Sequence, residues 1–394
     1  MPTVVLIHGT GVRRRGLATL VEHVTAGFGA VRGDVSVVPY DWGSTHGASL
    51  AAGGLSLPPE GGAHRGIGDG SPAVPFAAED ADVADWAALY ADPDLELALA
   101  AAAGGGAERP PGSALPEQRL QDRLAALPAP GGAAAGAWDS RLPDAAAVAE
   151  LRAHPLLAPA AEVLGPDVLA TVVARSLVAR TVAAALASGD PVVPDGATRD
   201  AFVDRLARYL GAAPGGSERG ARAWLLRRAG AVASHAVVRR RHALTQAAHP
   251  AAGDVLRYLS RGEPVRAGLR SLVGELAPPV ALLGHSLGGI IALDTLITTP
   301  LPQVRLLVTV GSQGPFLYES GALPSLVHPE PLPPHVPDWL NLYDPRDLLG
   351  HLGAGLFPGR VTDAEVDSRQ PFPAAHSAYW TNPHVYRLIG ERLP

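Results

Sequence analysis

Val280-Ala281-Leu282-Leu283-Gly284-His285-Ser286-Leu287-Gly288-Gly289-Ile290-Ile291-Ala292-Leu293 is the stretch whose reading decides the fold. A short apolar run stops at Gly284, a Gly-x-Ser-x-Gly follows, and a small-residue and aliphatic segment continues with helical character. Strand, tight turn and helix in that order are the context in which the pattern has chemical meaning. The turn has no room for bulky neighbours, so Gly284 and Gly288 flank the serine. It lifts Ser286 Oγ beyond the carboxyl end of the strand, beside the N–H groups of the helix that follows. A glycine-rich turn that merely contains a serine is the bland alternative, since the chain has 45 glycines. The apolar strand before it and the helix after it argue against that alternative.

The chain N-terminal to this stretch supplies a second turn of the same kind. Thr3-Val4-Val5-Leu6-Ile7 is an apolar β-type run that ends in His8-Gly9-Thr10-Gly11. Residues 17–29 have helical spacing, and Val35 to Tyr40 reads as another strand. Strand, helix and strand within 43 residues imply parallel pairing. Residues 44–140 are rich in Gly, Ala and Pro, with short helical pieces at 79–91 and 116–126, and are expected to be partly mobile. From 144 to 247 the pattern is helical throughout: 144–153, 160–187 with a break at Gly165-Pro166, 198–211 and 217–245. We read 44–253 as one inserted, mainly helical cap. Core elements then resume, with one or two helices over 254–277, strands at 280–284 and 304–310, and a Pro-rich loop at 315–337. A strand at 339–343, a last strand at 359–367 and a closing helix at 377–393 follow.

Composition bounds the function. With 394 residues, 47% hydrophobic and 18% charged, the chain is long and apolar enough for one large or two ordinary domains. A net charge of −6 gives no electrostatic case for nucleic acid as a partner. The absence of cysteine removes disulfides, thiolate metal sites and cysteine nucleophiles. No ligand set for a metal stands out. His8, Asp41 and His46 do not have the spacing of one, and the chemistry requires no cofactor. The bias towards Ala, Gly, Pro and Arg over lysine is that of a high-GC bacterial genome. The N-terminus has no basic n-region, and its apolar run is too short for a signal peptide. The most apolar segment, 168–187, is interrupted by Arg175 and Arg180, so no transmembrane segment is expected. A cytoplasmic location is the expectation.

A serine is a poor nucleophile at neutral pH; it needs a base in reach, and the base needs an orienting acid. In a wound parallel sheet these groups gather at the carboxyl ends of later strands, in the order Ser, Asp, His. Two acids follow the strand 339–343. Asp347 is preferred because Leu348-Leu349 can anchor its loop. Asp344 precedes Pro345 and reads equally as a turn cap, so it remains the alternative. His376, between the last strand and the closing helix, is the favoured base. His351 lies too near Asp347 in sequence to cross the sheet, and His384 falls in the closing helix. His285 should point away from the serine. For a developing oxyanion the expected N–H donors are Leu287, just after the serine, and Thr10 in the first turn, whose hydroxyl is a possible third. His8, Gly9 and Gly11 support that turn, His8 as a brace and not a second base. Arg13-Arg14-Arg15 reads as a solvated basic loop, with an anion clamp as the sharper alternative. Arg227, Arg228 and Arg239-Arg240-Arg241 read as a solvent face or as one drawn to anionic lipid.

With these residues in hand, the chain resembles the α/β-hydrolase superfamily, and within it lipase- or esterase-like serine hydrolases. The resemblance rests on Val4 to Gly11, Gly284 to Gly289, Asn341 to Asp347 and Ala375 to Tyr379. It covers 1–43 and 254–394, and it implies an α/β-hydrolase core of mostly parallel strands flanked by helices, a Ser286–Asp347–His376 triad and the oxyanion hole. Here the chain starts at the His-Gly strand, so a reduced sheet is expected. The insertion lies ahead of the nucleophile strand, whereas many lids of this family follow the next one. The expected function is cleavage of carboxylic esters, lipid esters or thioesters through an acyl-enzyme. Acyl transfer to an alcohol or amine is the alternative on the same serine. A partner-binding or effector module that keeps the fold is the alternative from another class.

Overall fold

The computed structural model describes residues 1–49, 81–103, 116–127, 145–213 and 252–394. The proposed helix 217–245 and the arginines on it lie outside the described residues, as does most of the Gly/Pro/Ala-rich part of 44–140. The chain divides into two compact units. Met1–Ala77, Gly189–Val192 and His242–Pro394 form one, and Ala78–Ser188 with Val193–Arg241 form the other.

The first unit is built on six strands, all parallel: β1 Thr3–Ile7, β2 Ser36–Tyr40, β3 Val280–His285, β4 Val304–Val310, β5 Asp338–Tyr343 and β6 Val361–Glu365. They run in the order β2-β1-β3-β4-β5-β6. The burial of each strand follows its place. Every residue of β3, at the centre, is buried, and that is why it reads as an unbroken apolar run. The edge strands β2 and β6 are half exposed. Pro39, which has no N–H to donate, is tolerated because β2 is an edge.

From β1 the chain steps outward to β2, and from β3 it steps the opposite way to β4. Right-handed crossovers therefore place the connecting helices, Arg14–Val31 and Leu287–Thr298, on opposite faces. Arg14–Val31 packs against Pro383–Arg392, with Phe28 edge-on to Tyr386. Leu287–Thr298 packs against Glu263–Gly274. Val5, Ile7, Val280, Leu282, Leu307 and Trp339 of the sheet belong to the core cluster on that second face. Where the step direction reverses, between β1 and β3, a crevice opens at the carboxyl ends of the strands.

Three local expectations are revised. The loop 315–337 contains a helical turn, Gly314–Glu319, because Pro315 falls at its first positions, where a missing N–H costs nothing. The strand ending at Tyr40 leads into a short helix, Trp42–His46, capped by the Asp41 side chain on Ser44 N–H. The closing helix is three pieces, Ala374–Ser377, Ala378–Thr381 and Pro383–Arg392. The chain breaks at Asn382 because Pro383 cannot continue the preceding turn, and the Asn382 side chain caps the new helix on His384 N–H.

The second unit is helical in its described residues. The break expected at Gly165-Pro166 separates Leu157–Val163 from Pro166–Ala187. Pro166–Ala187 is long and apolar enough to cross a membrane by length and composition, yet 72% of its most apolar window is buried. The arginines that interrupt it are paired there, Arg175 with Glu96 and Arg180 with Asp94 and Glu150. Gly196–Leu210 packs against it. The fully buried Arg199 of that helix lies 4.3 Å over the Trp86 ring and pairs with Asp82.

Candidate active site

Ser286 sits at the turn between β3 and Leu287–Thr298 with φ 53° and ψ −123°, a backbone conformation that costs a side-chain-bearing residue strain. Neighbours hold it there. Ser286 N–H donates to Val310 O at 3.0 Å, and Ser286 O accepts from Gly289 N–H at 3.0 Å and from Ser312 Oγ at 2.9 Å. The flanking glycines are required by approach distance. A Cβ on Gly288 would lie 2.0 Å from Ile7 O, and one on Gly284 2.5 Å from Gly288 O. Leu287 takes the first helical position, so its N–H has no partner within the helix.

The first turn lies against the second. A Cβ on Gly9 would stand 3.1 Å from Ser286 Cβ and 3.0 Å from His285 Nδ1, so the Gly9 backbone lies against the serine turn and Thr10 is the next residue. His8 braces this turn from beneath. Its ring stacks on Trp42 at 4.9 Å, Nδ1–H donates to Gly9 O at 2.8 Å, and Nε2 accepts from Gly43 N–H. Trp42 Nε1–H donates to His8 O. Burial is the main reason that the His8 pKa falls to about 4, so the ring is neutral in this tautomer at pH 7. Gly11, at φ +75°, donates its N–H to Asp254 Oδ2 at 2.8 Å. Asp254, 1% exposed, also accepts from both Nη atoms of Arg13 and from Ala48 N–H. Arg13 is therefore neither a solvated loop residue nor an open anion clamp; it is tied into the base of the turn. Arg14 and Arg15 begin the first helix.

The structure brings Asp347 and His376 together. His376 Nδ1 lies 3.0 and 2.9 Å from the two oxygens of Asp347, and a carboxylate only accepts, so Nδ1 carries the proton. Asp347 also accepts from Tyr379 O–H at 2.9 Å and from Leu349 N–H at 3.0 Å. Burial would raise its pKa, but the His376 bond and charge, with those two donors, outweigh it and lower the pKa. Asp344 is turned elsewhere. Its oxygens accept from Arg346 N–H, Ser368 N–H and Ser368 Oγ, and burial raises its pKa. Tyr379 joins the two acids, because its oxygen accepts Asp344 N–H at 3.0 Å while its proton goes to Asp347.

His285 does not simply pack away from the site. Its Nε2–H donates to His376 O at 2.7 Å, its ring lies 4.7 Å from the His376 ring, and burial is the main cause of a pKa near 3. It ties the His376 segment to the residue next to Ser286. The remaining histidines downstream serve other places. His351 stacks on Phe316 at 5.0 Å, and His384 lies against Arg387.

Three residues were not singled out as site residues from the sequence: Tyr379, Asp254 and the tether made by His285. Tyr379 lies one turn beyond His376, a spacing that signals a shared face. Asp254 and its partners on the first turn are more than 200 residues apart, and no local pattern marks such a contact. Among the described residues, no three His, Asp or Glu side chains converge as metal ligands. The chain matches no family model and no curated protein.

Proposed function

We propose that this protein is a serine hydrolase of the α/β-hydrolase type that cleaves carboxylic esters through an acyl-enzyme, with Ser286, His376 and Asp347 as its triad. The observation that carries the reading is the Asp347–His376 pair tethered by His285 beside a serine held at φ 53°. With Nδ1–H on Asp347, His376 Nε2 is the free base. Ser286 Oγ attacks the ester carbonyl and gives its proton to Nε2. The N–H groups of Thr10 and Leu287 hold the oxyanion; losing one would cost about 3 kcal/mol of transition-state stabilisation. Collapse expels the alcohol, which takes the proton from His376. Water activated by the same ring then releases the acid and restores the serine. In this reading the inserted helical unit is the cap, and the protein acts on small-molecule or lipid esters in the cytoplasm without a cofactor.

The test is labelling with a fluorophosphonate probe followed by peptide mapping. Modification of Ser286 in the parent, lost in His376→Ala, is expected. Equal labelling of the two proteins, or none in the parent with or without detergent, would overturn the reading.

A further inference from the structure

Away from the serine turn, the first unit contains a cavity of about 130 Å³. Trp42, His46, Asp254, Arg257, Tyr258 and Arg261 are among the residues that line it. The two arginines are four apart on the helix over residues 252–261, so they project from one helix face into one hollow.

What sets them apart is that both line one hollow and neither has an acidic partner among the described residues. Several arginines of this unit are matched by acids, Arg13 with Asp254, Arg32 with Asp34, Arg266 and Arg270 with Glu263, and Arg346 with Asp367; Arg14, Arg15, Arg305 and Arg392 have no acidic partner among the described residues, but none of them lines this cavity. Among the described residues, Arg257 makes one long hydrogen bond, 3.3 Å to Gly47 O, and Arg261 makes none. Nor do the nearby acids balance them. Asp254 has both oxygens taken by Arg13, Gly11 N–H and Ala48 N–H, and Glu263 is held by its own two arginines. Two exposed guanidinium groups with no acidic partner among the described residues thus share a concave site in a chain of net charge −6.

We propose that this cavity binds a phosphate group, as a free phosphomonoester or as a lipid headgroup. Planar guanidinium forks match tetrahedral oxyanions in two-point fashion. The volume suits a phosphate with a small attached group, seated above the buried rings of Trp42 and Tyr258. The cavity backs onto the first turn, since Trp42 also holds His8 O and Asp254 holds Gly11 N–H. The proposal does not depend on the chemistry of Ser286.

Calorimetric titration of the full chain with inorganic phosphate and with phenyl phosphate, at fixed ionic strength, tests it. A parallel arm uses phosphatidylcholine vesicles with and without phosphatidic acid. Saturable one-to-one binding of the soluble ligands, or binding to the phosphatidic acid vesicles alone, is expected and tells the two sources apart. Arg261→Gln should weaken it roughly tenfold or more, the usual worth of a charge-assisted pair, and Arg257→Gln/Arg261→Gln should abolish it. Arg261 has no partner among the described residues, so its variant keeps the parent's melting curve. No binding in either arm, or binding that the double variant retains, would overturn the proposal.

Discussion

Gly288→Ala isolates the packing on which the serine turn depends. The added Cβ would meet Ile7 O at 2.0 Å, with Ile7 C and His8 O both at 2.7 Å. These are backbone atoms of β1 and of the turn that follows it, and they cannot rotate aside. The helix Leu287–Thr298 must retreat from β1 by about 1 Å, in a region where Ile7, Leu287 and Ile291 are fully buried. Overpacking of this kind costs roughly 3 kcal/mol. The better helix propensity of alanine returns only about 1 kcal/mol. Gly274→Ala is the matched control, because Gly274 ends the helix Glu263–Gly274 and nothing lies within 4 Å of its Cβ position. It should gain a few tenths to about 1 kcal/mol. Hydrogen exchange of the β1 and β3 amides is the assay, since it reads this unit separately from the helical one. Protection should fall in Gly288→Ala and hold or rise in Gly274→Ala. Unchanged protection in Gly288→Ala would refute the packing argument.

Three further outcomes follow from the buried titrating groups. The folded pKa of His285, about 3, lies below its ordinary 6.5, so its contribution to stability is complete above pH 6.5 and drains away as pH falls towards 3. Between pH 7 and 5 that is a loss of about 2 kcal/mol. His285→Gln should remove this part of the acid limb in urea unfolding, and parallel pH curves for parent and variant would contradict it. Asp344→Ala strands the buried N–H groups of Arg346 and Ser368 and should cost about 3 kcal/mol of stability. Asp347→Asn should instead lose fluorophosphonate labelling with a smaller effect on unfolding. Lost labelling at unchanged stability in Asp344→Ala would exchange the roles of the two acids.

The sequence by itself determined the wound parallel core. The apolar runs of β1, β3 and β4 and the glycines around Ser286 are local necessities: a strand buried on both faces must be apolar throughout, and a tight turn excludes Cβ atoms. The same local reasoning located two acids after β5 and a histidine after β6, and it preferred Asp347 on the anchoring of its loop alone, with Asp344 as the alternative. Asp344 and Asp347 are three residues apart on one loop. The Tyr379 hydroxyl and Ser368, both from beyond β6, direct one carboxylate to His376 and the other inward. Asp254 on the Gly11 turn and His285 on the His376 carbonyl belong to the same class. Each joins residues distant in sequence, and only the packing of sheet, helices and loops brings their polar atoms within bonding distance; backbone periodicity carries no trace of it.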